Sequence, residues 1–330
     1  MSEYRNLLCD KLKKEFSTKK VLVIGDVMVD EYITGSVSRI SPEAPVPVLD
    51  FREKIMQAGG ACNVANNIRS LGACVYMMGV ASDDYAGKWL LNYLKELGID
   101  VGGIVTEEGR PTTLKTRYAT KGQQLLRVDN EITAGISELT KRVMMSKLNN
   151  MIDDLDAVVI SDYRKGVLED AAFVQQIIGI CNEREILISI DSKSSNIEAF
   201  KGATFVKPNN LELEAAVSIK IDSEESLERA GRAYLKKSGA KALIVTRGKN
   251  GISLFVPDNT TEQFPAKDVQ VYDVCGAGDT VISTVSLCIL AGLTMQEALK
   301  VANLAAGVVI SKVGTVPIGI DELLESVNEE

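Results

Sequence analysis

Short runs of consecutive apolar residues alternate with amphipathic stretches along most of this chain: Val21 to Ile24, Ala157 to Ile160, Ile186 to Ile190, Thr204 to Val206 and Ala242 to Val245. Runs without polar alternation read as strands covered on both faces, as in parallel sheets. Between them apolar positions recur at helical spacing. Trp89, Leu90, Tyr93, Leu94 and Leu97 line one face of such a helix, which stops at Gly98, a suitable C-terminal cap. Similar spacing predicts helices near 61–71, 137–153, 169–183, 209–218 and 223–237, and two long apolar helices, 279–291 and 295–311, joined through Gly292. The alternation implies βαβ units, hence an α/β fold with a doubly wound, mostly parallel sheet and right-handed crossovers.

Two segments break the pattern. Residues 30–58 alternate apolar and polar and are punctuated by Pro42, Pro45 and Pro47, so no useful helix forms there. Residues 111–131 alternate again, with Leu114, Thr116 and Tyr118 pointing one way and Thr113, Lys115, Arg117 and Lys121 the other. The expectation is a small inserted antiparallel sheet with one basic face, a lid over a phosphate-bearing ligand. A surface hairpin with solvated charges is the plain alternative.

With 330 residues, 45% of them hydrophobic and 25% charged, the chain suits one large α/β domain or two ordinary ones. A net charge of −8 and a pI near 5.0 argue against nucleic-acid or anionic-membrane partners. No His is present, which excludes Ser-His-Asp and Cys-His triads and leaves acid–base work to Asp, Glu, Lys, Tyr or Cys. The six cysteines form no Cys-x-x-Cys pair, so reduced thiols are expected. No signal-like or membrane-spanning apolar run is visible, and a cytoplasmic location is expected.

The densest chemistry lies at Asp273-Val274-Cys275-Gly276-Ala277-Gly278-Asp279, directly before a long apolar helix. Gly276, Ala277 and Gly278 permit a tight turn and close approach, and the helix start offers unpaired N–H groups and a positive dipole end. Such a turn binds phosphate. Asp279 beside it is placed to take a proton from an attacking hydroxyl, which points to phosphoryl transfer. A tight loop with a capping Asp is the alternative.

Three stretches occur in order: Gly25-Asp26-Val27-Met28-Val29-Asp30, Gly59-Gly60-Ala61-Cys62-Asn63-Val64-Ala65, and the 273–279 turn. Together they resemble the ribokinase-like (PfkB) family of sugar kinases, from about Val21 to Pro317. The resemblance implies a single ribokinase-like domain across 1–330, with a three-layer α/β/α core, lid strands at 30–58 and 111–131, and an N-terminal helical extension at 1–19. Within the family, residues 38–48, 123–129, 161–166 and 314–317 resemble the heptose 7-phosphate kinases. Those kinases are fused in many bacteria to a nucleotidyltransferase, and the short stretch after Pro317 leads us to expect the kinase half alone.

By this resemblance Asp279 is the base and Gly276, Ala277 and Gly278 form the anion hole. Asn209 and Glu212 place Mg²⁺ through water, although their spacing alone equally suits a helix capping box. Thr246, Arg247, Gly248 and Gly251 match the nucleotide loop, and Asn303 lies near the purine. Lys193 resembles part of a Pro-Lys pair that Ser192 interrupts. On the acceptor side Asp30 and Asn63 hold sugar hydroxyls, Gly59 and Gly60 let the backbone approach, and Asp162 and Lys165 follow a strand at the ligand edge. Lys115, Arg117 and Arg127 are candidates for a distal phosphate, with Glu43 or Asp129 as competing ion-pair partners. Cys275 stands where Thr is frequent, and would be prone to oxidation if the helix end stabilised its thiolate.

The expected partners are ATP, a sugar phosphate and a second copy of the chain through the lid; the expected cofactor is Mg²⁺, with the monovalent-cation requirement and the anomer left open. The expected activity is transfer to the anomeric hydroxyl of a heptose 7-phosphate. The alternatives are another sugar or sugar-phosphate kinase of the family (fructose, ribose or hexose phosphate) and, from another class, a sugar or nucleotide sensor without catalysis.

Overall fold

In the computed structural model, which describes residues 2–312 and 314–329, the first apolar run is the seventh strand of a nine-stranded sheet. In chain order the first half comprises α1 (Ser2–Phe16), β1 (Lys20–Gly25), β2 (Val27–Ile40), β3 (Pro47–Gly60), α2 (Ala61–Ser70), β4 (Cys74–Val80), α3 (Tyr85–Glu96), β5 (Asp100–Val105), β6 (Thr113–Thr120), β7 (Gln123–Asn130) and α4 (Glu138–Met151). Then come β8 (Ala157–Asp162), α5 (Ala171–Glu183), β9 (Leu187–Ser192), β10 (Phe205–Val206), α6 (Asn210–Val217), α7 (Glu224–Ser238) and β11 (Leu243–Thr246). The last part holds β12 (Ile252–Phe255), β13 (Thr261–Phe264), α8 (Ala277–Leu290), α9 (Met295–Ile310) and α10 (Ile320–Glu329).

The large sheet runs β13-β12-β11-β10-β9-β8-β1-β4-β5, parallel from β5 to β11 and antiparallel only through the β11–β12–β13 end. Along β1, alternate residues feed opposite sides: Val21 and Val23 join a core with α2, α3, α8 and α9, while Leu22 and Ile24 join one with α4, α5 and α7. Three layers result, and the uninterrupted apolar run is explained by burial on both faces. Among the described residues no helix is long and apolar enough to cross a membrane.

The second sheet has the order β3-β2-β6-β7. It is mixed, not wholly antiparallel as expected, because β2 and β6 pair in parallel. Both are reached from the carboxyl ends of parallel core strands, β2 immediately after β1 and β6 after a seven-residue connection from β5, so both leave the core in the same direction. Lys121 falls in the turn between β6 and β7, beyond the strand face assigned to it. The register places Asp30, Lys115 and Asp129 in one row, and Tyr32, Arg117 and Arg127 in another on the same face. The alternate rows, Glu31–Thr116–Val128 and Ile33–Tyr118–Leu126, occupy the opposite face.

Candidate active site

Parallel strands bring their carboxyl ends to one edge, where open α/β sheets bind ligands. Asp26 follows β1, Asp162 ends β8, Asp191 lies near the end of β9, Lys207 follows β10 and Thr246 ends β11. Facing them is the start of α8. Its cap, Gly276, has φ 80°, a left-handed conformation that suits glycine and turns the 277–279 backbone toward the sheet edge. A Cβ built on Gly278 would lie 3.1 Å from Lys207 Nζ, so the ammonium stands against this turn.

Asp279, in the first turn of α8, is 6% exposed. Its Oδ2 accepts from Asn63 Nδ2 at 2.5 Å and its Oδ1 from the Tyr163 hydroxyl at 3.0 Å. Burial, then the neighbouring Asp191, lifts its pKa to about 6, while Asn63, Lys207 and Tyr163 oppose the rise. A base with that value is largely ionised at neutral pH and still avid for a proton. Lys207 is 3% exposed and pairs with Asp191 Oδ2 at 3.0 Å. Burial works against its charge, but Asp191, Glu212 and Asp279 outweigh it and hold the ammonium above its usual range.

A cavity of about 930 Å³ opens beside this cluster, bordered by Asp279, Lys193, Lys207, Glu212, Thr246 and Asn303. Gly248, Gly251 and the Gly276–Gly278 turn also border it. Asn209 and Glu212 form a true capping box: Asn209 Oδ1 accepts from Glu212 N at 2.9 Å, and Glu212 Oε2 from Asn209 N at 2.8 Å. Both residues nonetheless border the cavity, and burial followed by Asp191 raises the Glu212 pKa. Lys193 Nζ lies 4.0 Å above the Tyr163 ring.

On the other side of Asn63 lies the face of the second sheet that carries Asp30. Asp30 Oδ1 accepts from Arg117 at 2.5 Å, and a Cβ on Gly59 would fall 2.3 Å from Asp30 Oδ2; Gly60, next to it, ends β3. Lys115 Nζ bridges Asp129 at 3.0 Å and Glu131 at 2.9 Å, and Lys165 Nζ meets Glu131 at 2.6 Å. Arg127 grips Asp129 with two nitrogens at 2.9 and 3.1 Å.

Some expected residues stand apart. Arg247 turns behind the nucleotide-loop segment, donating to Ser253 Oγ at 3.1 Å and pairing with Glu224. Asp162 borders the cavity, but its carboxylate is engaged by Ser192 Oγ at 2.6 Å and Arg164 N at 2.7 Å. The Cys275 thiol is pushed up by burial and by Asp273, so the helix end does not stabilise a thiolate. Lys207, Asp191, Tyr163 and Glu131 were not assigned from the sequence. The signal for the first two was their position at the exits of the predicted strands; Tyr163 and Glu131 carried none beyond their neighbours.

A family model described as pfkB family carbohydrate kinase matches residues 18–321. The chain belongs to this family. It is accordingly an ATP-dependent phosphotransferase acting on a sugar hydroxyl. The bifunctional protein HldE of Desulfatibacillum aliphaticivorans is 40% identical over 315 residues, 96% of this chain and 64% of the relative. HldE of Helicobacter pylori is 39% identical over 94% of this chain and 67% of its own. The chain thus spans about two thirds of the length of these relatives. In fold it is similar to Escherichia coli phosphofructokinase-2 in complex with potassium (TM-score 0.78, 19% identity, 94% of this chain and 98% of that one). It is also similar to Arabidopsis thaliana ribokinase complexed with ribose and ATP (TM-score 0.75, 18% identity, 94% and 99%).

Proposed function

We propose that this pfkB kinase phosphorylates the anomeric C1 hydroxyl of D-glycero-β-D-manno-heptose 7-phosphate, forming the 1,7-bisphosphate used to build ADP-heptose. The observation that carries the substrate choice is the group of basic side chains, Lys115 and Arg117 in adjacent rows of the sheet face that holds Asp30 with Lys165 nearby, each paired with a carboxylate that a phosphate would compete with. A sugar held by Asp30 and Asn63 would place its far end against that face. Identity near 40% to proteins named HldE supports the same reading.

Asp279 takes the proton of the acceptor hydroxyl as its oxygen bonds to the γ-phosphorus, and the bond from that phosphorus to the ADP oxygen breaks. The N–H groups of the 276–278 turn, the start of α8 and Lys207 stabilise the charge in transit. Among the described residues no group of three or more His, Cys, Asp or Glu could hold a metal. The Glu212 carboxylate borders the cavity with only its Oε2 used in capping, which suits contact with Mg²⁺ through water by Asn209 and Glu212. When bound, the ion would offset phosphate charge.

ADP release should be measured with heptose 7-phosphate, heptose, ribose, fructose and fructose 6-phosphate. The heptose 7-phosphate is expected to lead in kcat/KM by roughly 100-fold or more, since heptose, ribose and fructose bring no phosphate to the basic face and fructose 6-phosphate carries its phosphate one carbon short of the heptose C7 position. Preference for ribose or fructose 6-phosphate would overturn the assignment in favour of that substrate.

A further inference from the structure

The Tyr163 hydroxyl donates to Asp279 Oδ1, the carboxylate oxygen that Asn63 does not engage. We propose that Tyr163 is a positioning residue for the base and that Asp26 is the fixture that holds Tyr163 in place. The inference rests on the reading of Asp279 as the base.

Asp26 is buried at the exit of β1 and accepts three backbone N–H groups from one loop: Tyr163 at 2.8 Å and Lys165 at 2.9 Å on Oδ2, and Val167 at 3.2 Å on Oδ1. Asp162 binds the same loop through Arg164 N. The loop needs such ties, because Arg164 has φ 57°, a region unfavourable to residues with side chains. Lys193 over the ring adds a cation–π contact on a third side. The base is therefore held by two independent elements, Asn63 on α2 and the loop after β8. Each carboxylate oxygen has a second lone pair, so both donors leave room for the substrate proton.

The groups facing the Asp279–Tyr163 pair are Asp191 and Lys193 on and just after β9, Lys207 after β10, Glu212 on α6 and neutral Asn63 on α2. With these unchanged, loss of the phenol hydroxyl removes a hydrogen bond to the ionised carboxylate. The base then protonates more readily and its pKa rises.

Tyr163→Phe, Asp26→Asn and Asp279→Asn should be assayed with heptose 7-phosphate and MgATP across pH 5 to 9, with far-UV circular dichroism as a folding control. For Tyr163→Phe, kcat should fall roughly tenfold, the KM for ATP should stay unchanged, and the acid limb of kcat should move to higher pH. Asp26→Asn should move the limb in the same direction; if that variant does not fold, Tyr163→Phe decides alone. A Tyr163→Phe profile superimposed on the wild type, with Asp279→Asn inactive, would sink the inference and leave the base assignment standing. Near-normal turnover of Asp279→Asn would instead remove the base assignment, and the inference with it.

Discussion

The Asp279 carboxylate combines two demands that oppose one another. Burial makes it a stronger base, and the same burial penalises its charge in the folded protein. Asp279→Asn should lower turnover by roughly 10²–10⁴, as expected for loss of a positioned base. In the wild type kcat should fall as pH drops through about 6, where Asp279 takes up its proton. Stability follows the reverse sign. A carboxyl whose folded pKa is raised from 3.8 to about 6 favours the fold below the lower value and loses that contribution as pH climbs through 6. The Asn variant should thus be more stable than the wild type at pH 8, by up to about 3 kcal/mol, and melt higher, with the gap closing near pH 4. Thermal melts at both pH values check this. Glu212→Gln, which keeps a capping acceptor but loses the charge, should raise the Mg²⁺ concentration needed for half-maximal rate. An unchanged Mg²⁺ dependence with a lowered melting temperature would leave it the capping role alone.

Among the elements, the paired strands β2, β3, β6 and β7 carry the specificity argument, and their ion pairs sharpen it. Lys115 meets two carboxylates, Asp129 and Glu131, whereas Arg117 is tied to Asp30, the residue proposed to hold the sugar. Arg117→Ala would release Asp30 and harm binding of any sugar. Lys115→Ala is the cleaner probe of the distal phosphate. It should weaken the phosphorylated sugar by about 1.5–3 kcal/mol and leave the sugar without phosphate almost untouched. Titration of both sugars into both proteins measures this, and equal losses would move the phosphate site toward Lys165 or Arg127.

At the scale of the whole molecule, the second sheet leaves two edges and the outer part of one face exposed in the single chain, although Glu31 and Thr116 nearer the core on that face are buried. Phe51 is 65% exposed, Leu126 55% and Val128 47%, while β3 and β7 end the sheet with unpaired edges. Such a sheet is better stabilised against a second copy of itself. A symmetric dimer through this lid is expected, and Phe51→Glu with Val128→Glu should shift it to monomer by like-charge repulsion and lost apolar contact. Sedimentation velocity at micromolar concentration tests both statements, and a wild-type monomer would count against them.

The local patterns were readable from the chain because they depend on neighbours a few residues away. The apolar runs at 21–24 and 157–160 and the helical spacing of 89–97 correspond to β1, β8 and α3, and the glycine turn before a long apolar helix marks the start of α8. Weaker patterns escaped: β5, with Gly102 and Gly103, and the short β12–β13 pair lack runs long enough to show a period. The parallel pairing of β2 with β6 was also hidden, since it depends on how two excursions leave the core. The site divides in the same way. Asp279 and its turn form one contiguous motif, but the Lys207–Asp191 pair, the Tyr163 contact with Asp279 and the pairing of Lys115, Arg117 and Lys165 with carboxylates join residues on separate strands and loops. Which chemical groups are available, and most of the strands and helices that carry them, can be read from the chain alone. Only the tertiary structure decided which of those groups meet, because charge pairing and burial depend on distances between segments far apart in the chain.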